Sequence, residues 1–276
     1  MLTRLRFVSL KLKLFFSVPF FIVLNYKSPL VALWHLLVKG ERIETITLRS
    51  GLKFRIWGRR GHAILMENYS GCQYVKPPIS LSRGDTVIDI GAHIGTFCVC
   101  LADRYPGVRI LSFEPSESNF GLLVENVRLN GLEDSITPVN LAIAREAGFS
   151  RMFLSDNTGG NSLVFHTSDE TVRVQTTTLG RVLDAYNIGV CDLLKIDAEG
   201  SEYQILMSAN RETLEKIRQV SLEYSPSGNL DGSDIAEFLR TIGFSVRVHP
   251  NPYWNINGGL IFANRTKTQA AESCKS

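Results

Sequence analysis

The stretch Val87-Ile88-Asp89-Ile90-Gly91-Ala92-His93-Ile94-Gly95 decides how the rest of the chain is read. It is a short apolar strand, Thr86 to Ile90, that stops in a glycine turn and re-emerges as a helix from Thr96 to Tyr105. Glycine lacks a Cβ, so the backbone can turn sharply and a ligand can approach it closely, while the helix N-terminus presents unpaired N–H groups. A dinucleotide fingerprint requires G-x-G-x-x-G, whose central glycine lets a pyrophosphate reach the helix end. Here the spacing is G-x-x-x-G, His93 occupies the place of that glycine, and Asp89 precedes the first glycine by two residues. A carboxylate at that point repels an anion and draws a cation, such as an ammonium or a sulfonium.

Outward from this turn the pattern alternates strand and helix, which predicts a parallel sheet covered on both faces. After the first strand come strand two from Arg109 to Glu114, a helix from Phe120 to Asn130 stopped by Gly131, and strand three from Ile136 to Ala142. Between Arg145 and Gln175 the chain turns polar and glycine-containing, with an extra strand at Val172 to Thr176 and a helix from Thr178 to Tyr186. Strand four is Leu193 to Asp197, with a helix from Tyr203; strand five is Val220 to Glu223, with a helix from Asp234 to Ile242. Phe244 to Val248 and Leu260 to Ala263 close the pattern as a terminal pair of strands.

Before the core, Ser28-Pro29 predicts a helix start and Gly40 its stop, with Leu30, Leu33, Trp34 and Leu37 on one face. Glu44 to Arg49 and Leu52 to Ile56 alternate around Ser50-Gly51 as a β-hairpin. Ala63 to Tyr74 reads as a helix ended by Pro77-Pro78, and these elements form a lid or a substrate-side wall. Residues 1–24 are basic at Arg4, Arg6, Lys11 and Lys13, then strongly apolar from Leu14 to Leu24. That run is roughly half of the ~20 residues needed to cross a bilayer, and no small-residue cleavage site follows. The expectation is a helical extension that packs on the domain or lies on a membrane surface, with a segment used only in the core, or a true signal anchor, as the alternatives. The resulting division is an apolar extension over 1–40, a hairpin and helix over 41–84, the main domain over 85–265 and a polar, disordered tail over 266–276.

Composition sets wider bounds. A length of 276 residues suits one α/β domain with an extension, and 44% apolar with 21% charged residues is ordinary for a globular chain. A net charge of +3, without a Lys/Arg block or an aromatic-interleaved basic stripe, gives no footprint for nucleic acid. Five cysteines, Cys72, Cys98, Cys100, Cys191 and Cys274, lack C-x-x-C spacing and read as reduced thiols in a reducing, cytoplasmic setting.

In open α/β sheets the ligand lies beyond the carboxyl ends of the strands. Strand two ends in Phe113-Glu114-Pro115, where a carboxylate can accept both hydroxyls of a ribose; the alternative is a strand-end acid capping the next helix. Strand four ends in Lys195-Ile196-Asp197-Ala198-Glu199-Gly200-Ser201-Glu202 and strand five in Glu223-Tyr224. Carboxylates directly after an apolar strand are costly to bury unless paired, hydrogen-bonded or facing a cation, which marks Asp197, Glu199 and Glu223 as site candidates. Asn161 lies in the long loop after strand three, as a site residue or as a turn former. His62 and His249 show no partner in the sequence and read as structural or exposed.

Four motifs in order, Asp89-Ile90-Gly91-Ala92-His93-Ile94-Gly95, Phe113-Glu114-Pro115, Asn161-Ser162-Leu163 and Leu194-Lys195-Ile196-Asp197-Ala198-Glu199-Gly200-Ser201-Glu202, resemble those of the FkbM family of methyltransferases. The resemblance spans roughly Thr47 to Ala263. It implies a class I methyltransferase fold, a mostly parallel seven-stranded sheet with an antiparallel last strand, S-adenosylmethionine as cofactor, and O-methylation of a hydroxyl on a sugar, glycan or secondary metabolite. On this reading Asp89, Gly91, His93, Gly95, Glu114 and Asn161 bind the cofactor. Asp197, then Glu199 and Glu223, are the candidates for acceptor contact and base work. His93 stands where the family often carries Asn, which introduces a titratable group at the turn. Asp197 and Glu223 also resemble carboxylate pairs that hold magnesium in some O-methyltransferases, although no third ligand is apparent.

Competing classes make different demands. A dinucleotide-dependent oxidoreductase requires a glycine where His93 stands, and a non-catalytic cofactor-binding module would have lost the strand-four acids. A nucleic-acid methyltransferase commonly carries an Asn/Asp-Pro-Pro-aromatic tetrad, of which Asn251-Pro252-Tyr253-Trp254 is a partial echo placed too late in the chain.

Overall fold

Alternating apolar strands and amphipathic helices fold here as the pattern predicts, around a twisted sheet with helices on both faces. The computed structural model describes residues 17–37, 42–71, 73–155, 161–165, 169–224, 231–250 and 258–265. Helical residues 17–25 (α1) lead into α2 (Pro29–Leu37), followed by the hairpin β1 (Ile43–Thr47) and β2 (Lys53–Trp57) and by α3 (Gly58–Gly71). The next elements are β3 (Thr86–Ile90), α4 (Thr96–Arg104), β4 (Arg109–Phe113), α5 (Glu117–Leu129), β5 (Ile136–Val139), β6 (Ala142–Ile143), β7 (Gly148–Phe153) and β8 (Thr171–Thr177). Then follow α6 (Leu179–Ala185), β9 (Leu193–Ile196), α7 (Glu202–Ser208), α8 (Arg211–Glu215), β10 (Gln219–Tyr224), α9 (Gly232–Thr241), β11 (Ser245–Pro250) and β12 (Gly259–Asn264).

The seven-stranded sheet has the order β11-β12-β10-β9-β3-β4-β5, and β12 runs antiparallel to both its neighbours. Successive residues of a strand face opposite sides, which divides the core in two. Val87, Ile110, Ile136 and Leu193 pack with α4, α5 and the N-terminal elements; Ile88, Leu111, Leu194 and Leu222 pack with α6, α7 and α9. The strand order reverses between β3 and β9, so the carboxyl ends of these two strands define the crevice.

Three elements depart from the pattern read in the sequence. α3 begins at Gly58, directly after β2, and ends before Tyr74, which leaves that tyrosine in the following turn. Strand three is divided: β5 stops at Val139, and Ala142-Ile143 pairs instead with β8 in a three-stranded sheet ordered β6-β8-β7. β7 itself escapes a pattern search because only Met152 of its six residues is buried, so no alternation of polarity marks it.

The apolar residues of α2 differ in burial. Ala32 is buried and Leu33 and Leu36 pack on the core, but Leu30, Trp34 and Leu37 are 80%, 64% and 74% exposed. The helix touches the body through its other side, which lies against α3. Cys72, Cys274, residues 1–16 and the segment Asn251 to Trp254 lie outside the described residues.

The N-terminal elements are not a detachable unit. Phe21, Ile22, Ile46, Phe54 and Leu65 join Phe97, Leu101 and Leu123 in a single cluster. Asn126 on α5 bonds the Arg55 backbone in both directions, its Oδ1 accepting at 2.6 Å and its Nδ2 donating at 3.0 Å. A buried polar chain adds specificity: Tyr26 Oη to His62 Nδ1 (2.8 Å), His62 Nε2 to Glu44 Oε1 (3.0 Å), and Glu44 Oε2 to His35 Nδ1 (2.5 Å). Burial lowers the His62 pKa, so a neutral ring donates through Nε2 to Glu44 and accepts the Tyr26 proton at Nδ1. His249 is exposed and stacks edge-on against Phe262.

Tyr26→Phe leaves His62 Nδ1 buried without its donor, and chemical denaturation should register a loss of about 1–3 kcal/mol. Unchanged stability would mean that the chain of contacts does not hold α1 to the body.

Candidate functional site

Strand register alone assembles the floor of the site. β3 pairs Asp89 with Ser112 of β4 and with Lys195 of β9, and β9 pairs Lys195 with Ser221 of β10. Four polar side chains therefore form a row across the centre of the sheet, each of them buried. Lys195 Nζ lies 3.0 Å from Asp89 Oδ1 and donates to the Gly91 carbonyl at 2.8 Å and the Ile90 carbonyl at 3.3 Å. It also lies 3.6 Å from Asp197 Oδ2 and beneath the rings of Tyr74 and Phe97, 5.0 and 5.6 Å from their centres. Burial works against its charge, but Asp89, Asp197 and Glu223 outweigh that effect and raise its pKa.

The glycine turn stands on this floor. Gly91 has φ +75°, and a Cβ there would fall 1.8 Å from the Asp197 carbonyl oxygen, because the end of β9 crosses directly over it. Gly95 (φ +82°) precedes α4, where a Cβ would press on Leu123 of α5. The first glycine thus permits the strand-four acids to reach the turn, and the second permits two helices to approach. His93 also has positive φ (51°), and its N–H donates to Glu114 Oε2 at 2.8 Å. Glu114 Oε1 accepts the Ser116 N–H at 2.9 Å, so this carboxylate ties the turn to the start of α5.

A cleft opens above the turn. By chemistry its lining falls into two groups: Glu114 and Asn119 with the apolar Leu141, Ile143, Met152 and Leu163 form the first. Arg60, Glu67, Tyr74, Asp197, Glu199 and Glu223 form the second. α3 contributes Arg60, Ile64, Glu67 and Asn68 as a wall. Two buried atoms of lining residues, Asn68 Oδ1 and Ser201 Oγ, have no protein partner, which suits a cleft built to hold a polar ligand.

The second group is an acid cluster under strain of like charge. Burial, then the neighbouring Asp197 charge, pushes Glu67 up to about 7 and both Glu199 and Glu223 up to about 8. The Tyr74 hydroxyl lies 2.9 Å from Asp197 Oδ2 and 3.0 Å from Glu223 Oε2. A hydroxyl carries one proton, so the two contacts are satisfied together when one carboxylate is protonated. Burial and the neighbouring Asp197 push Glu223 up to about 8, which suits it to the protonated role, with Tyr74 donating to Asp197 beside Lys195. A cation bridging Asp197 and Glu223, as the magnesium analogy requires, would need the place that this hydroxyl holds. Among the described residues no group of three or more His, Cys, Asp or Glu side chains is arranged to hold a metal.

The structure sorts the residues singled out in the sequence. Gly91, His93, Glu114, Asn161, Asp197, Glu199 and Glu223 all line the cleft. Asp89 is fully buried beneath it, so its attraction for a cation is answered by Lys195. Gly95 serves helix packing. Burial, with Arg60 and Lys195 opposing added charge, pushes the His93 imidazole down to about 3, which leaves it neutral and removes the pH effect expected of it. Asn161 accepts the Ser155 N–H at 2.9 Å and closes its loop, while the next residue, Ser162, donates to the Glu199 carbonyl at 2.6 Å. Glu202 accepts from the Ala198 and Gly200 N–H groups, each at 3.0 Å, and so clasps the loop that carries Glu199.

Sequence reasoning offered the Ala63–Tyr74 segment as a lid or wall but did not single out Glu67 or Tyr74 within it, nor Arg60 before it. Lys195 did leave a signal: a lysine within Leu193-Leu194-Lys195-Ile196 is a charge in a fully buried strand, which demands an acid nearby.

The family model described as "Methyltransferase FkbM domain" matches residues 89–246. The chain is 27% identical over 250 residues to 31-O-demethyl-FK506 methyltransferase FkbM of Streptomyces tacrolimicus, covering 77% of this chain and 93% of the relative. It is 28% identical over 181 residues to methyltransferase sdnD of Sordaria araneosa, covering 54% and 70%. Among solved structures it is similar to precorrin-6y C5,15-methyltransferase from Geobacter metallireducens GS-15, with a TM-score of 0.43, 13% identity, and 76% and 89% of the two chains covered.

Lys195→Met strands Asp89 in the core, and the expected loss of stability in urea is about 3–5 kcal/mol. Adding Asp89→Asn should recover a large part of it. A double variant no more stable than Lys195→Met would show that the pair is not the source of the effect.

Proposed function

The chain belongs to the family of methyltransferases with an FkbM domain, and on that premise we propose that it methylates a hydroxyl of a neutral, hydroxyl-rich acceptor, a sugar, glycan or secondary metabolite, with S-adenosylmethionine as the donor. The observation that carries this reading is that one cleft is lined both by Glu114 with apolar side chains and by the clustered acids Glu67, Asp197, Glu199 and Glu223. Carboxyl groups exchange hydrogen bonds with hydroxyls, and those that ionise repel phosphate or carboxylate groups, so the acid-lined chamber favours a hydroxyl-bearing acceptor without negative charge. The relative at 27% identity is named for a 31-O-demethyl substrate, which supports oxygen as the methylated atom.

The residues present suit the donor. Glu114 is placed to accept from ribose hydroxyls, and Leu141, Ile143, Met152 and Leu163 offer an apolar slot for a flat base. The acid cluster faces what would be the positively charged end. When bound, S-adenosylmethionine supplies an electrophilic methyl on a sulfonium. The chain supplies position and a base. In our reading Asp197 accepts the proton of the acceptor hydroxyl as the O–C bond forms, Tyr74 fixes the orientation of that carboxylate, and Glu223 shares the proton inventory through the same hydroxyl. Arg60 faces Glu67 and Glu199 and limits their mutual repulsion. We further propose that the enzyme works in the reducing setting of the cytoplasm, where Cys98 and Cys191 stay as buried thiols.

Asp197→Asn should lower kcat by about 100-fold or more, while calorimetry finds S-adenosylmethionine binding within a few-fold of wild type. Full turnover in that variant would refute the assignment of the base. A second measurement addresses the charge of the donor. Glu67, Glu199 and Glu223 ionise as pH rises through about 7 to 8, so affinity for the cationic S-adenosylmethionine should increase relative to neutral S-adenosylhomocysteine across that interval. A ratio of the two affinities that stays flat with pH would argue that the acid cluster does not face the sulfonium.

A further inference from the structure

α3 separates two surfaces of different character. Arg60, Ile64, Glu67 and Asn68 line the cleft, whereas His62, Leu65 and Tyr69 project from the opposite side toward Tyr26, Phe21 and the core that carries α1 and α2. α1 and α2 bury one side each against that core, through Phe21 and Ile22 and through Ala32, Leu33 and Leu36. Their other sides hold Phe20 and Leu24 at 65% and 53% exposure, and Leu30, Val31, Trp34 and Leu37 at 55% or more. The residues recur at helical spacing, 20 and 24 on one helix and 30, 34 and 37 on the next, so each helix presents an apolar stripe outward. Patches of this kind on a folded chain mark an interaction surface.

Charge identifies the partner. Residues 1–40 contain Arg4, Arg6, Lys11, Lys13, Lys27 and Lys39 and no Asp or Glu. Lys27 is exposed in the link between the two helices, and Arg49, also exposed, donates to the Val23 carbonyl beside the α1 stripe. Apolar stripes carrying Trp, Phe and Leu beside the exposed Lys27 and Arg49, in a segment whose sequence holds no acid, have the composition of a surface that enters the headgroup region of an anionic bilayer. A second copy of the chain would bring two such basic rims together, which opposes pairing through this face. Among the described residues no helix is long and apolar enough to cross a membrane.

We infer that the outer face of α1 and α2 docks on an anionic lipid surface and holds the methyltransferase body there, with α3 between the lipid and the cleft. Phe20, Leu24, Leu30 and Trp34 enter the headgroup layer, and Lys27 and Arg49 meet the phosphates. The cleft-lining side of α3 points away from this face, so docking leaves the cleft free.

The test is sedimentation of the full chain with vesicles of phosphatidylcholine alone and of phosphatidylcholine mixed with phosphatidylglycerol. Binding is expected on the mixed vesicles, weakened by raised salt and reduced about tenfold or more by Leu30→Glu or Trp34→Glu. Both variants should melt at the wild-type temperature, since neither side chain is packed in the core. Failure to pellet with either vesicle, equal pelleting of wild type and variants, or a concentration-dependent dimer in light scattering that Trp34→Glu dissolves would each overturn the proposal. None of these readouts depends on methyl transfer.

Discussion

The contact on which the site depends is the ion pair between Asp89 and Lys195, two side chains in register on neighbouring parallel strands at the centre of the sheet. Burying two charges is expensive, and the mutual attraction repays it only when the remaining donors and acceptors are also satisfied. Lys195 meets that condition by donating to the carbonyls of Ile90 and Gly91, the residues where β3 ends and the turn begins. The pair therefore does more than neutralise itself. It fixes the direction in which the chain leaves β3, and with it the position of Gly91 beneath the Asp197 carbonyl.

From that fixed point the chemistry of the cleft follows. Asp197 is the second anion beside Lys195, and Tyr74 joins it to Glu223 through a single hydroxyl. Burial and the nearby Asp197 charge outweigh Arg60 and Lys195, and Glu67, Glu199 and Glu223 rise to about 7 or 8. Such a chamber resists anions and is prepared for a positively charged ligand. Its walls come from the carboxyl ends of β9 and β10 and from α3, so it is built by distant parts of the chain.

The N-terminal elements accordingly have two duties. Their inner surfaces complete the core and carry the wall of the chamber, held by Asn126 and by the Tyr26–His62–Glu44–His35 chain. Their outer surfaces remain apolar and basic. An element that served packing alone would have no reason to keep Leu30, Trp34 and Leu37 in solvent.

By itself the sequence determined the sheet, the glycine turn and the acids that end its strands. Those features follow from local periodicity and from the cost of placing a carboxylate after an apolar strand, both of which are properties of a few adjacent residues. Tertiary structure decided what each acid does. Asp89 reads as a magnet for a ligand until Lys195 is brought beside it by strand pairing across the chain. His93 reads as a titratable group until burial makes it neutral. The segment with Glu67 and Tyr74 reads as a wall, but neither side chain stands out within it, because their place in the chamber depends on where α3 begins and ends. Strand ends are legible because period and charge are local, whereas partners and pKa values depend on what folding brings within a few ångströms.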